Sequence, residues 1–471
     1  MPPGRRHNHT PEPDAGPAGQ PVPPEDNIED DGSPEEAEED DADNDERQGS
    51  RIPFYNTTFS AHRISPLYLG AEDLTASRLQ LLAHRLRDKL VGDVVRGVEV
   101  GGAEREDSIV GRVGALERVE ISWVNMADVL GLSTKDAEQL QNEEGEEDRS
   151  GWPRAAQGLG EKRALHIALQ YEMASCTALM LPPLLDDGNG TFRDAETRFW
   201  VGRADAAAEE LRPNPARFLS LPLLLLRMPA PLKTVVGDFL AATFDCRVSL
   251  MRLGTRSLVG SWEAWIRSAG LPSTGPLSKD AVLSLGFHVP APDSPKTQSL
   301  DKKTAASNEQ QPLGLKSIDV IIPAADLRKF VAAGKRVVES QSREASAVGP
   351  PGWQGDLKKR RLLAGRLYEE GWEWRTPSDG PGISAERQPF MEALAGYLRE
   401  HLSLDLFHPS VRVVKIACGG FVMSESRLKV FEPVSTGDAQ DERVSSLGPR
   451  AAVLELLGRL VDKAQIRLVT G

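Results

Sequence analysis

Strand-like runs and helix-like runs follow one another from residue 53 to residue 469 with no repeating unit, and this interleaving points to an α/β to α+β architecture. Alternating or continuous apolar runs predict strands at 94–101, 116–126, 246–253, 281–289, 317–322, 411–417, 427–431 and 466–469. Helical spacing begins after Thr75, a suitable N-cap, and carries Leu79, Leu82, Ala83, Leu86 and Leu90 to a stop at Gly92. Further helices are predicted at 162–181, with Leu165, Leu169, Cys176 and Met180 on one stripe, and at 257–269, 323–339, 357–370, 389–402 and 449–463. The stretch 213–244 reads as helices interrupted at Pro222, Pro229 and Pro231, because proline breaks the interior hydrogen-bond ladder.

The formal net charge of −14 is concentrated at the N-terminus, where residues 1–50 hold 16 acidic and three basic side chains together with nine prolines. Such a segment buries too little apolar surface to offset its chain entropy and is expected to be disordered. Asp41, Asp43 and Asp45 have the spacing of a calcium loop, but Glu46 stands where the sharp turn needs glycine and Ile52 where the last ligand should be. A solvated acidic tail, either a lure for basic partners such as histone surfaces or a guard against promiscuous nucleic-acid binding, is the reading. The expected organisation is this tail at 1–50, an N-terminal part of the body at 51–290, a mobile polar loop at 291–312 and a C-terminal part at 313–471. Cys176, Cys246 and Cys418 are too far apart for a disulfide framework or a CxxC site, which fits a reducing compartment. The most apolar run, 218–228, is broken by Pro222 and closed by Arg227, so no membrane span is expected.

Catalytic and cofactor signatures are missing. Gly334-Lys335 lacks the first glycine and the Ser/Thr of a phosphate-binding loop, and no GxGxxG, GxSxG, HExxH or zinc-finger spacing occurs. The reading is a non-enzyme without metal or cofactor. Its rival is a Cys/His site in which His401 or His408 activates Cys418, set against the run VRVVKIACGG, where a small apolar side chain suits a buried strand. Basic residues carry more. Arg247, Arg252 and Arg256 lie on and after one predicted strand, with Lys233 upstream, and would track a phosphate backbone if they lined one groove. The alternative is that they pair with Asp238, Asp245 and Glu263. Lys358, Lys359, Arg360 and Arg361 form a second cluster, equally suited to phosphate, solvent or nuclear import. Near the C-terminus, the strand at 411–417 is apolar on both faces, and Leu428 and Val430 interleave with Arg427 and Lys429. Such strands are either internal to a sheet or an edge that recruits a partner's strand, with Phe421, Val422, Leu428, Val430 and Phe431 setting specificity.

Four long blocks carry a resemblance: PFYNTTFSAHRISPLY (53–68) with LAHRLRDKLVGDVVRGVEVG after it, FLAATFDCRVSLMRLGTRSLVGSWEAWI (239–266), GLKSIDVIIPAADLRKFV (314–331) and HLSLDLFHPSVRVVKIACGGFVMSESRLKVF (401–431). Together they resemble the fungal CENP-L family, the Fta-type kinetochore subunits of the Sim complex. The resemblance implies a non-enzymatic subunit of the inner kinetochore, nuclear and centromeric, within the constitutive centromere-associated network. It implies pairing with a CENP-N homologue through the C-terminal part, contact with other inner-kinetochore subunits, and a basic groove facing CENP-A nucleosomes and duplex DNA. Self-association without the partner is a further implication. The fold expected is a mixed, largely antiparallel curved sheet with helices packed on it, preceded by the acidic tail.

Overall fold

The computed structural model describes residues 52–95, 114–132, 159, 162–184, 217–271, 278–288, 315–344, 371–375, 388–433 and 442–465. The acidic tail, the polar loop, the Lys358–Arg361 cluster with its predicted helix, and the predicted strand at 466–469 lie outside those residues. In chain order the strands are β1 (Thr58–Ile64), β2 (Leu67–Tyr68), β3 (Leu116–Asn125), β4 (Arg163–Tyr171), β5 (Ser175–Leu181), β6 (Phe218–Leu219), β7 (Leu223–Arg227), β8 (Val248–Leu250), β9 (Ala281–Phe287), β10 (Ser317–Ile322), β11 (Val411–Ala417), β12 (Phe421–Ser424) and β13 (Arg427–Val430). The helices are α1 (Ala76–Val95), α2 (Met126–Val129), α3 (Ala230–Phe244), α4 (Thr255–Ala269), α5 (Ala324–Glu344), α6 (Pro389–Leu402) and α7 (Glu442–Ala464), with a 3-10 turn at Glu373–Arg375.

Eleven strands join one antiparallel sheet in the order β10-β9-β11-β12-β13-β1-β7-β5-β4-β3, and β8 pairs with β1 beside this path. The mixed, largely antiparallel sheet with packed helices is the fold that the resemblance implies, within the α/β to α+β class that the interleaved pattern predicts. Its two faces are unequal. On one face Phe59, Leu225, Leu283, Val413, Phe421 and Leu428 meet α4, α6 and α7 in a core that runs across the sheet. On the other, Leu165, Ile167, Ala178, Met180, Leu224 and Leu226 meet α1 and α3, so this second core covers only the half of the sheet built from β3, β4, β5 and β7. Among the described residues, the helices against β9 to β13 pack on the first face.

Two predicted elements are corrected. The segment 162–181 is a hairpin, β4 and β5, and the residues assigned to one helical stripe are cross-strand partners: Leu165 opposite Met180 and Leu169 opposite Cys176. Leu165, Ile167, Leu169 and Tyr171 are all buried at every second position, and burial at period two decides against the coincidental helical spacing. The other correction falls on 213–244, where β7 precedes the helix. Leu223 to Leu226 are buried on alternate faces between the two cores, so four consecutive leucines mark a central strand. Pro231 sits in the first turn of α3, where its missing N–H costs nothing. Smaller differences are that α1 runs through Gly92 to Val95, α7 starts at Glu442 with Pro449 inside it, and the strand predicted at 246–253 is three residues long.

Candidate nucleic-acid interface

The face of the sheet opposite the first core carries the outward residues of β11, β12, β13 and β1. Alternation selects them: Phe421, Met423, Leu428 and Val430 point into the core, leaving Val422, Ser424, Arg427 and Lys429 on the reverse side. The register sets Lys429 opposite Val422 and Thr58, and Arg427 opposite Ser60. Lys415, beyond a register shift after Val413, lies opposite Ser424 and extends the strip across β11. Lys279 and Lys429 both approach the Phe431 ring, at 5.3 and 5.2 Å, in cation–π contact at the end of β13. Lys415 and Arg427 are exposed.

At β1 the strip meets Lys233 from the first turns of α3. Partial burial and then the charge of Arg427 lower the pKa of Lys233, and burial followed by Lys233 lowers that of His62. A cation that lowers the pKa of its basic neighbour marks a locally positive field, which costs free energy unless an anion relieves it. The strip therefore has the chemistry of a phosphate-backbone track: several cations on a rigid sheet, flanked by small hydroxyl side chains.

The arginines singled out by sequence divide. Met251 and Leu253 are buried in the first core, so Arg252 between them points to the reverse side, as does Leu250, which pairs with His62. Arg247 is exposed at the start of β8, its backbone N–H donating to Ser65 Oγ at 2.9 Å and its carbonyl accepting from Ser65 N–H at 3.1 Å. Arg256 stands apart on the first turn of α4, with its guanidinium 5.8 Å from the Trp374 ring. Of the suggested acidic partners, Glu263 is buried and accepts from Met391 N–H at 3.1 Å, while Asp245 caps α3 in a left-handed conformation. Arg427 and Lys429 were visible in the sequence only as the polar half of an alternating strand, a pattern that marks a solvated face without saying which neighbours join it, and Lys415 lay in a strand read as apolar on both faces.

The C-terminal strands are interior. β11 lies between β9 and β12, and β13 between β12 and β1, so a partner's strand has no edge to join there. Phe421, Leu428 and Val430 are at most 1% exposed within this chain, and only Val422 and Phe431 of the five candidates keep outward surface. Among the described residues, the sheet's outer strands are β10 and β3.

Cys418 is buried, which pushes its thiol up to about 11, and Sγ accepts from Phe421 N–H at 3.4 Å. His408 Nδ1 is held by Ser410, and the His401 ring lies tilted against Tyr397 with centroids 4.3 Å apart. A protonated, enclosed thiol is the reverse of an activated nucleophile. Among the described residues no group of three or more His, Cys, Asp or Glu could hold a metal, and no helix is long and apolar enough to cross a membrane.

The model of centromere protein L, CENP-L, matches residues 53–465. The chain belongs to the CENP-L family. That match spans all the described elements except the first residue, and it ties the chain to the centromere and so to the nucleus. No curated protein matches the chain.

Proposed function

We propose that the chain is a non-enzymatic inner-kinetochore subunit of the fungal, Sim-complex type that holds centromeric duplex DNA on the basic face of its sheet, which no helix among the described residues covers, and pairs with a CENP-N homologue. The observation that carries the DNA reading is the strip Lys415, Arg427 and Lys429, which ends at Lys233, lowered by burial and Arg427, and His62, lowered by burial and Lys233. Family membership supports the centromeric setting. Contacts of this kind are to phosphate, so binding is independent of sequence and screened by salt.

The test is a Lys415→Glu, Arg427→Glu, Lys429→Glu variant titrated with a fluorescent duplex at several salt concentrations. Each lost phosphate contact flattens the slope of log K against log salt by about 0.9. If all three make contacts, the fall in affinity from about 50 to about 200 mM salt becomes roughly forty-fold smaller than in the parent. An unchanged slope sends the DNA elsewhere, with Arg247, Arg252 and Arg256 and then Lys358, Lys359, Arg360 and Arg361 as the next candidates.

For the partner, β10 is the edge within the C-terminal part. Ile321 on it is 63% exposed, and Leu315 just before it is 61% exposed. Strand addition there supplies main-chain hydrogen bonds and an apolar contact. Ile321→Lys should leave the fold intact and abolish co-elution with the CENP-N homologue, or self-association in its absence. Retained co-elution would remove β10 from the interface.

A further inference from the structure

Where the basic strip reaches β1, four side chains from three elements converge: Ser60 and His62 on β1, Arg427 on β13 and Lys233 on α3. Ser60 Oγ lies 3.1 Å from the Leu226 carbonyl and 3.2 Å from His62 Nε2. A hydroxyl has one hydrogen. Given to the carbonyl, it leaves Oγ to accept, so the imidazole carries its proton on Nε2 and keeps the lone pair on Nδ1. Neutral His62 thus presents an acceptor, and a second proton would make it a donor and a third cation beside Lys233 and Arg427.

We propose that Ser60, His62, Lys233 and Arg427 form a phosphate-oxygen site whose occupation is coupled to uptake of one proton on His62 Nδ1. The proposal rests on the DNA reading of this face and names the point where a backbone phosphate is gripped. The groups around His62 fit such a site. From α3 comes Lys233, from β13 Arg427, and from the end of β8 Arg252, all cationic, while β7 contributes only Leu224 and Leu226 and the turn between β12 and β13 brings Glu425. Arg63 points to the other face, donating to the Lys463 carbonyl at 3.2 Å. Burial and Lys233 oppose the second proton in the free protein, and a phosphate oxygen among the cations reverses that preference. Bound and free His62 then titrate at different pH, and between those two values affinity rises as pH falls, by up to about tenfold per pH unit for one proton.

The experiment uses the full chain with histidine-selective isotope labelling, His62→Gln assigning the resonance. His62 is titrated in chloride, in dimethyl phosphate at equal ionic strength, and with a short duplex. Both phosphodiesters should raise its pKa, and duplex affinity should rise towards acid in the parent but more shallowly in His62→Gln. A pKa raised by dimethyl phosphate without any duplex binding would keep this site and defeat the DNA reading. If the duplex binds while neither probe moves the His62 titration, the coupled site is overturned and the broader face stands. No shift and no duplex binding would overturn both.

Discussion

Gly420, in the turn between β11 and β12, faces the indole of Trp265 so closely that a Cβ would lie 1.9 Å from Cζ2, 2.5 Å from Cε2 and 2.6 Å from Cη2. The ring is 7% exposed and sits edge-on to Phe421, with centroids 5.2 Å apart. Gly420→Ala must therefore displace either a packed indole or the backbone, whose carbonyl accepts from Phe431 N–H at 2.9 Å. Overpacking of a well-filled core costs about 1–3 kcal/mol, and loss of the aromatic edge contact adds about 0.5–1.5 kcal/mol. Spread over the unfolding entropy of a body this long, a loss of roughly 2–4 kcal/mol lowers the melting temperature by about 2–5 °C. Differential scanning calorimetry reads the shift. Gly396→Ala on α6 is the control, because nothing lies within 4 Å of its added methyl and helix propensity should stabilise it by up to about 1 kcal/mol. A Gly420→Ala protein as stable as the parent would mean that this turn is loosely packed, and its neighbours Phe421 and Val422 would return as candidates for a partner surface.

Acid should destabilise the fold below about pH 6.5, the ordinary histidine value, because burial lowers the pKa of both His62 and His166; the unfolded chain then binds the extra protons. Thermal melts from neutral to acid pH should show the decline, and His62→Gln with His166→Gln should flatten it. Cys246 and Cys418, pushed up to about 11 by burial, should resist alkylation at neutral pH until denaturant opens the core, as mass spectrometry would show. Arg375 pairs with Glu392 and lies 3.6 Å from the Phe407 ring centroid, so Glu392→Gln should cost about 1–3 kcal/mol by weakening a charge-assisted contact of a partly buried guanidinium. Arg375→Met added to it should recover part of the loss in a denaturant titration.

Local pattern carried α4, α6, β11 and β10 to within a residue or two, because each is an apolar run or period with marked ends, such as Gly270 at φ 68° after α4. The β4–β5 hairpin failed for a physical reason. Leu165, Leu169, Cys176 and Met180 satisfy a helical stripe approximately and a two-residue period strictly once the turn at 172–174 is allowed for. β12 was missed because four residues beside a glycine pair are too short to show a period. The candidate site depends on strand order, which no local pattern contains. Arg427 and Lys429 stood out as interleaved charges, yet their neighbours Ser60, His62 and Lys233 lie roughly 200 to 370 positions away in sequence and meet them only through β1 and α3. Phe421 was named for a partner surface; the close approach of Trp265 that Gly420 permits is what seals it inside.

The most direct measurement is acetylation footprinting of the full chain with and without duplex DNA. Lys233, Lys279, Lys415 and Lys429 report on the basic face, and Lys89 on α1 and Lys335 on α5 serve as references elsewhere. DNA on the basic face should protect Lys415, Lys429 and Lys233 while Lys89 and Lys335 react as before. Equal reactivity at the first three with protection of Lys89 or Lys335 would contradict the placement of DNA on this face.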